Sequence, residues 1–207
     1  MGTDTPRHRG LLVDWGGVMT SNLFESFSAF CEQNGLSSDE VGRRFRHDPE
    51  SRQLLIDLET GNLDETEFEP RFAALLGVPA EGLIDRLFAG GVADDAMQSA
   101  VRQARAAGIR TGLISNSWGT RRYDRTLLAE LFDGVVISGE VGIRKPTPEI
   151  YELGARAIDV PPSECVFVDD LTFNLPPAAE LGMTTVHHVD SAQTISELER
   201  LLAVKLR

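Results

Sequence analysis

The chain has 207 residues, 42% of them hydrophobic, enough for one large domain or a core with a modest insertion. Twenty Lys and Arg against 32 Asp and Glu leave a formal charge of −12, which argues against nucleic acid or an anionic membrane as partner. Cys31 and Cys165 form no CxxC pair, no apolar run nears the ~18 residues of a membrane span, and "MGTDTPRHRG" has no apolar signal core, so a cytoplasmic protein with a short disordered tail is expected.

The first element is an apolar run over about 10–15, read as a strand that ends at Asp14 and a Gly-rich turn, "DWGG". From 21 to 92 the pattern is helical: Leu23, Phe24, Phe27, Phe30 and Cys31 recur at helix spacing, as do Phe68, Phe72, Leu75 and Leu76, then Leu83, Ile84, Leu87 and Phe88. Ser37 with Glu40 resembles a capping box, and Asp64 with Glu67 a variant of one. Its acids, Glu25 and Glu32 among them, read as solvated faces, and "GRRFRH" (42–47) as a solvated face with Phe45 inward or a basic patch for an anionic substrate.

After 94 the chain alternates: helix 94–107, strand 109–115, a helix, strand 134–138, and helix 148–159 opened by Thr147 and Pro148. Then come strand 165–169, helix 175–181, strand 184–189 and a closing helix from Thr194, boxed by Glu197. This alternation predicts an α/β fold, a Rossmann-like parallel sheet flanked by helices. The helical block is then an insertion after the first strand, giving a core of 10–20 and 93–207 and an all-helical domain of 21–92.

Open α/β sheets bind ligands beyond the carboxyl ends of their strands. Here those ends carry Asp14, then Ser115 and Asn116, then Lys145 in the loop after the third strand, then Asp169 and Asp170, with Asn174 five residues after Asp169. Singly, each is an ordinary loop or cap residue. Together, carboxylates, a hydroxyl and an ammonium at one crevice suit phosphoryl transfer. A carboxylate can attack phosphorus, Mg2+ takes carboxylates and a carbonyl, and hydroxyl, N–H and lysine groups hold the equatorial oxygens.

The motifs "VDWGGV", "LISNS", "RKPTPEIY" and "FVDDLTFNLPPAAELGM" occur in the order of the haloacid dehalogenase-like hydrolases. The chain resembles the subgroup of that superfamily with a helical cap. From "LISNSW" onward it is most similar to the phosphatase domain of soluble epoxide hydrolases. The resemblance implies Asp14 as nucleophile and metal ligand, and Ser115, Asn116 and Lys145 as phosphate-binding groups. It also implies a Mg2+ cofactor held by Asp14, the Gly16 carbonyl and Asp169, with Asp170 behind them or a metal ligand through water, and Asn174 supporting that loop.

One position departs from the pattern. Family phosphatases carry a second aspartate two residues after the nucleophile, as general acid and base; here it is Gly16. Three readings stay open. A phosphatase of small phosphorylated metabolites such as sugar phosphates would need an easy leaving group, or another proton donor from the cap or from water. A dehalogenase also lacks the second aspartate, but usually has tyrosine there and lacks the Asp-Asp pair. A phosphate-binding or regulatory protein would have lost turnover. The expectation is the phosphatase, acting through an aspartyl-phosphate as a monomer or homodimer. Arg121 and Arg122 stand at the mouth of the site or on a surface helix start. Trp15 points away from Asp14, Trp118 neighbours the second motif, and Phe173, His187 and His188 are structural.

Overall fold

The computed structural model describes residues 8–207. The first seven residues of the expected tail lie outside that range. The next three are already part of the fold: the His8 ring bonds the Leu201 carbonyl and the Thr184 hydroxyl, and Arg9 N–H donates to Glu164 O.

Five strands form one sheet in the order β3-β2-β1-β4-β5: β1 (Gly10–Val13), β2 (Arg110–Ser115), β3 (Gly134–Ile137), β4 (Cys165–Asp169) and β5 (Thr184–His187). Every pairing is parallel, and Leu12 stands level with Gly112 on one side and Phe167 on the other. Strand alternation buries both faces. Leu11 and Val13 enter a cluster with α6 (Asp95–Ala106), α7 (Arg125–Leu131) and α11 (Ser191–Leu202). Leu12 enters the opposite cluster with α9 (Pro148–Ala157) and α10 (Leu175–Glu180). A parallel sheet covered by helices on both faces is the Rossmann-like α/β fold expected. The strand order reverses between β1 and β4, so a crevice opens beyond the ends of those two strands.

Between β1 and α6 lie α1 (Leu23–Gln33), α2 (Glu40–His47), α3 (Pro49–Glu59), α4 (Glu65–Leu76) and α5 (Leu83–Leu87), packed on a hydrophobic cluster of their own. The two passes that connect this insertion to the sheet run antiparallel. Ser21 N–H donates to Val92 O at 2.8 Å, and Asp94 N–H to Met19 O at 2.9 Å. Trp118, from the β2–α7 loop, enters the insertion's cluster, with Phe27, Phe45, Phe68 and Phe88 at ring-centroid distances between 5.3 and 5.8 Å. Phe45 also stacks on Phe72 at 4.7 Å, so it does point inward. Trp15 lies elsewhere, against the sheet cluster and edge-on to Tyr123 at 6.1 Å.

The local signals explain most helix starts. Asp64 Oδ1 accepts the Glu67 N–H at 2.9 Å, and the Glu67 side chain returns to the Asp64 backbone, a complete box. Pro148 opens α9 as expected, although the Thr147 side chain makes no cap bond. Two expectations fail. Ser37 serves Glu40 N–H only through its carbonyl, because the Glu40 carboxylate is held by Arg43 and Arg44. The closing helix begins at Ser191, because Asp190 caps the Gln193 N–H at 2.9 Å. Thr194 is therefore interior, buried, and bonded to the His188 ring at 3.0 Å. Phe173 is exposed, because its 3-10 turn (Thr172–Asn174) turns Asn174 inward instead. Glu40 and Glu59 are buried, so these two acids are not on solvated faces.

Candidate active site

The crevice between β1 and β4 gathers the strand-end residues. Asp14 continues the β1–β4 ladder, its N–H donating to Val168 O at 2.9 Å, so the carboxyl emerges where the sheet ends. Lys145 is fully buried, and its Nζ stands 2.8 Å from Asp14 Oδ1 and 2.7 Å from Asp169 Oδ2. Asn116 fixes that lysine from behind: its Oδ1 accepts Lys145 N–H at 2.8 Å and its Nδ2 donates to Lys145 O at 3.0 Å. Ser115, the last residue of β2, has its Oγ 2.8 Å from Tyr123 Oη.

Asp169 closes β4 and accepts from Leu171 N–H at 2.8 Å, from Asn174 Nδ2 at 3.0 and 3.1 Å, and from Lys145. Asn174 thus supports Asp169, whose two carboxylate oxygens share these donors. Asp170 differs. Its Oδ1 is buried without a hydrogen-bond partner, and a Cβ at Gly17 would lie 2.3 Å from its Oδ2. Gly17 adopts φ +74°, so both its backbone conformation and its neighbour require glycine. Gly16 is also hemmed in: a Cβ there would meet Leu23 Cδ1 of α1 at 2.6 Å.

Charge is unevenly met. Three carboxylates face one ammonium, and burial is the leading cause that raises Asp14 well above the usual carboxylate range; Lys145 opposes it, while Asp169 and Asp170 add to it. Burial, then Asp169, pushes Asp170 up to about 6. For Lys145, burial pulls downward, but Asp14 and Asp169 together hold the ammonium above its ordinary value. Oxygens of Asp14, Asp169 and Asp170 lie within 4.8 Å of one another. A compact set of hard carboxylate oxygens, one of them orphaned, with excess negative charge, fits a small divalent cation.

Two residues that sequence reasoning missed adjoin this group. Glu59 ends α3 and is only 5% exposed. Its carboxylate lies 2.5 Å from the Arg144 guanidinium and 3.5 Å from Asn116 Nδ2, and its carbonyl accepts the Ser138 hydroxyl. Burial pushes the Glu59 carboxyl up to about 7 against the pull of Arg144 and Lys145. A signal did exist: a glutamate in a helix's last turn opposes the macrodipole, and Glu59 follows Leu55 by one helical turn on the apolar stripe. Tyr123 is the other; burial keeps its phenol protonated beyond the ordinary range, although the Ser115 bond opposes this. Arg121 and Arg122 pair with Glu65 of α4 at 3.1 and 3.6 Å, and Arg122 also pairs with Asp85. His187 bonds the Asp170 carbonyl at 3.0 Å.

A sheet of this order with carboxylates at the β1 and β4 ends agrees with the hydrolase class that the motifs resemble. The family description "haloacid dehalogenase-like hydrolase" matches residues 5–182, and the chain belongs to that family. Bifunctional epoxide hydrolase 2 of Rattus norvegicus is 31% identical over 150 residues, 67% of this chain and 27% of that protein. The chain thus spans about a quarter of that relative's length. Sesquiterpene phosphatase astK of Aspergillus oryzae is 29% identical over 70% of this chain and 76% of its own. A haloacid dehalogenase family enzyme from Bacteroides thetaiotaomicron, solved as a magnesium complex, shares the fold with TM-score 0.68 and 22% identity, over 93% of this chain and 98% of that one. No helix among the described residues is long and apolar enough to cross a membrane.

Proposed function

We propose that the protein is a Mg2+-dependent phosphatase of small phosphorylated metabolites, with 10–20 and 93–207 as catalytic core and 21–92 as a cap over the site. The observation that carries this reading is the Asp14 carboxylate at a strand end, 2.8 Å from a buried Lys145 that it shares with Asp169. Asp14 attacks phosphorus in line, the bond to the leaving oxygen breaks, and an aspartyl-phosphate forms. Water then attacks that phosphorus and restores Asp14. The Ser115 hydroxyl donates to one phosphate oxygen; Tyr123 fixes its orientation. The Asn116 side chain already holds the Lys145 backbone, so its contact with phosphate falls to its main-chain N–H. Lys145 balances the charge that grows on the equatorial oxygens.

Asp14, Asp169 and Asp170, with the Gly16 carbonyl, would hold Mg2+. When bound, the ion offsets the excess carboxylate charge and screens the incoming phosphate from it. The intact acid pair Asp169–Asp170 disfavours a dehalogenase, which would place these charges beside a carboxylate nucleophile without a cation. A relative named as a phosphatase supports the reading as well.

Phosphate release from sugar phosphates, acyl phosphates and nucleotides, with and without Mg2+, tests it. Release that requires Mg2+ and disappears in Asp14→Asn is expected. Gly16 favours one rival, a protein that binds phosphate without turning it over. An aspartyl-phosphate that forms and never hydrolyses would establish that rival instead.

A further inference from the structure

We propose that Glu59 of the cap is the proton donor to the leaving group, supplying what Gly16 cannot; the assignment rests on the phosphatase reading above. In an in-line displacement the leaving oxygen departs opposite the nucleophile. Asp14 attacks from the sheet, so the leaving oxygen points toward the cap. The proton donor is therefore to be sought on the cap side of the crevice. Among the described residues the buried cap acids are Glu40 and Glu59. Both are paired with arginine, but Glu40 pairs with Arg43 and Arg44 of its own helix, whereas Glu59 pairs across to the core with Arg144. Glu59 thus adjoins two site positions from the insertion side: its carboxylate lies 3.5 Å from Asn116 Nδ2 and against Arg144, the residue preceding Lys145.

The other groups of the crevice are committed elsewhere. Asp169 accepts from Lys145, Asn174 and Leu171, Lys145 bridges two carboxylates, and Tyr123 is bonded to Ser115. The charged and titratable groups that face Glu59 are Arg144 and Lys145, with Tyr123 near enough for its phenol to feel the Glu59 charge. Burial outweighs the two cations and keeps the carboxyl partly protonated near neutral pH, the state a donor needs. Its position is also fixed: the Ser138 hydroxyl holds the Glu59 carbonyl, and a Cβ at Gly61 would lie 2.6 Å from Gly139 O, so this end of α3 is seated on the core.

The step balances. The Glu59 O–H proton passes to the bridging oxygen as the P–O bond breaks and the Asp14–phosphorus bond forms, releasing a neutral alcohol. Arg144 then faces the Glu59 carboxylate. That carboxylate takes a proton from the water that attacks the aspartyl-phosphate, and both residues return to their starting states.

The test compares kcat/KM of wild type and Glu59→Gln on p-nitrophenyl, phenyl and benzyl phosphate with Mg2+, a size-matched series from good to poor leaving group. A general acid contributes about 10²–10⁴-fold, and mainly where the leaving group is poor. Glu59→Gln is therefore expected to lose about 100-fold more on benzyl than on p-nitrophenyl phosphate. The ratio is read within one preparation, so partial misfolding does not alter it. Wild-type kcat/KM on benzyl phosphate is also expected to fall as pH rises through about 7, a limb absent from the variant. Equal loss on all three esters overturns the assignment and leaves Glu59 a seat for the cap. A wild type that cleaves the aryl esters but not benzyl phosphate overturns it too. A wild type inert toward every ester with Mg2+ overturns the phosphatase reading itself, and the donor assignment with it.

Discussion

The sheet and the cap are built on opposite plans. In the sheet, the candidate site sits at the ends of the elements: Asp14, Ser115 and Asp169 each stand where an apolar strand stops, and the backbone ladder brings them together. In the helical insertion, aromatic packing fills the interior, and the residues turned to the core include Leu23, beside Gly16, and Glu59, beside Arg144 and Asn116. A sheet end can therefore be rewritten in its chemistry only by changing the strand-end residues themselves. A cap can change most of its surface and keep its role while its seat on the core is preserved.

Lys145→Met should separate the two plans most strongly. It removes the ammonium between Asp14 and Asp169, so phosphate release should fall by on the order of 10³-fold or more. It should also destabilise the protein by roughly 3–5 kcal/mol in urea titration, since two buried carboxylates lose their counterion. A variant with near-normal turnover would break the distinction. Phe72→Ala, fully buried in the cap, should cost about 3–5 kcal/mol of stability yet leave turnover per folded molecule within about threefold. Loss of turnover without loss of stability would show the cap's interior acting on chemistry.

A smaller effect concerns pH. Glu59 has its carboxyl raised from 4.5 to about 7 by burial, so the folded state holds a proton that the unfolded state releases. The associated stability is present below about pH 4.5 and is lost as pH rises through about 7, up to about 3 kcal/mol. Denaturation across that range should slope less in Glu59→Gln than in wild type. Smallest is the metal: Mg2+ at about a hundred times its Kd should add roughly 2.7 kcal/mol, read as a rise in Tm. Asp170→Asn should reduce that rise, and an unchanged rise would remove Asp170 from the cation site.

The contrast also explains what was legible in the sequence. The parallel sheet, its helices and the strand-end residues follow from short-range signals, because each polar residue adjoins its apolar run. Tyr123 carries no such mark, and Glu59 only the weak one of an acid in a helix's last turn. Their roles depend on how α3 and the loop after β2 dock, and a glutamate on an amphipathic helix reads as a solvated acid. The start of α11 differs from the expected Thr194 for a local reason: Asp190 competes with Thr194 for the cap, and spacing alone does not rank the two.

Trp118 lies two residues beyond Asn116, yet its indole is housed among four phenyl rings of the cap. The loop that carries Ser115 and Asn116 is thereby anchored in both halves of the molecule. If the cap swings on its two connecting passes, it must either release that indole or drag the loop along. For anyone exchanging the helical insertion, the exchangeable part is not residues 21–92 alone. The graft must also bring a socket for residue 118, or the loop after β2 loses its anchor.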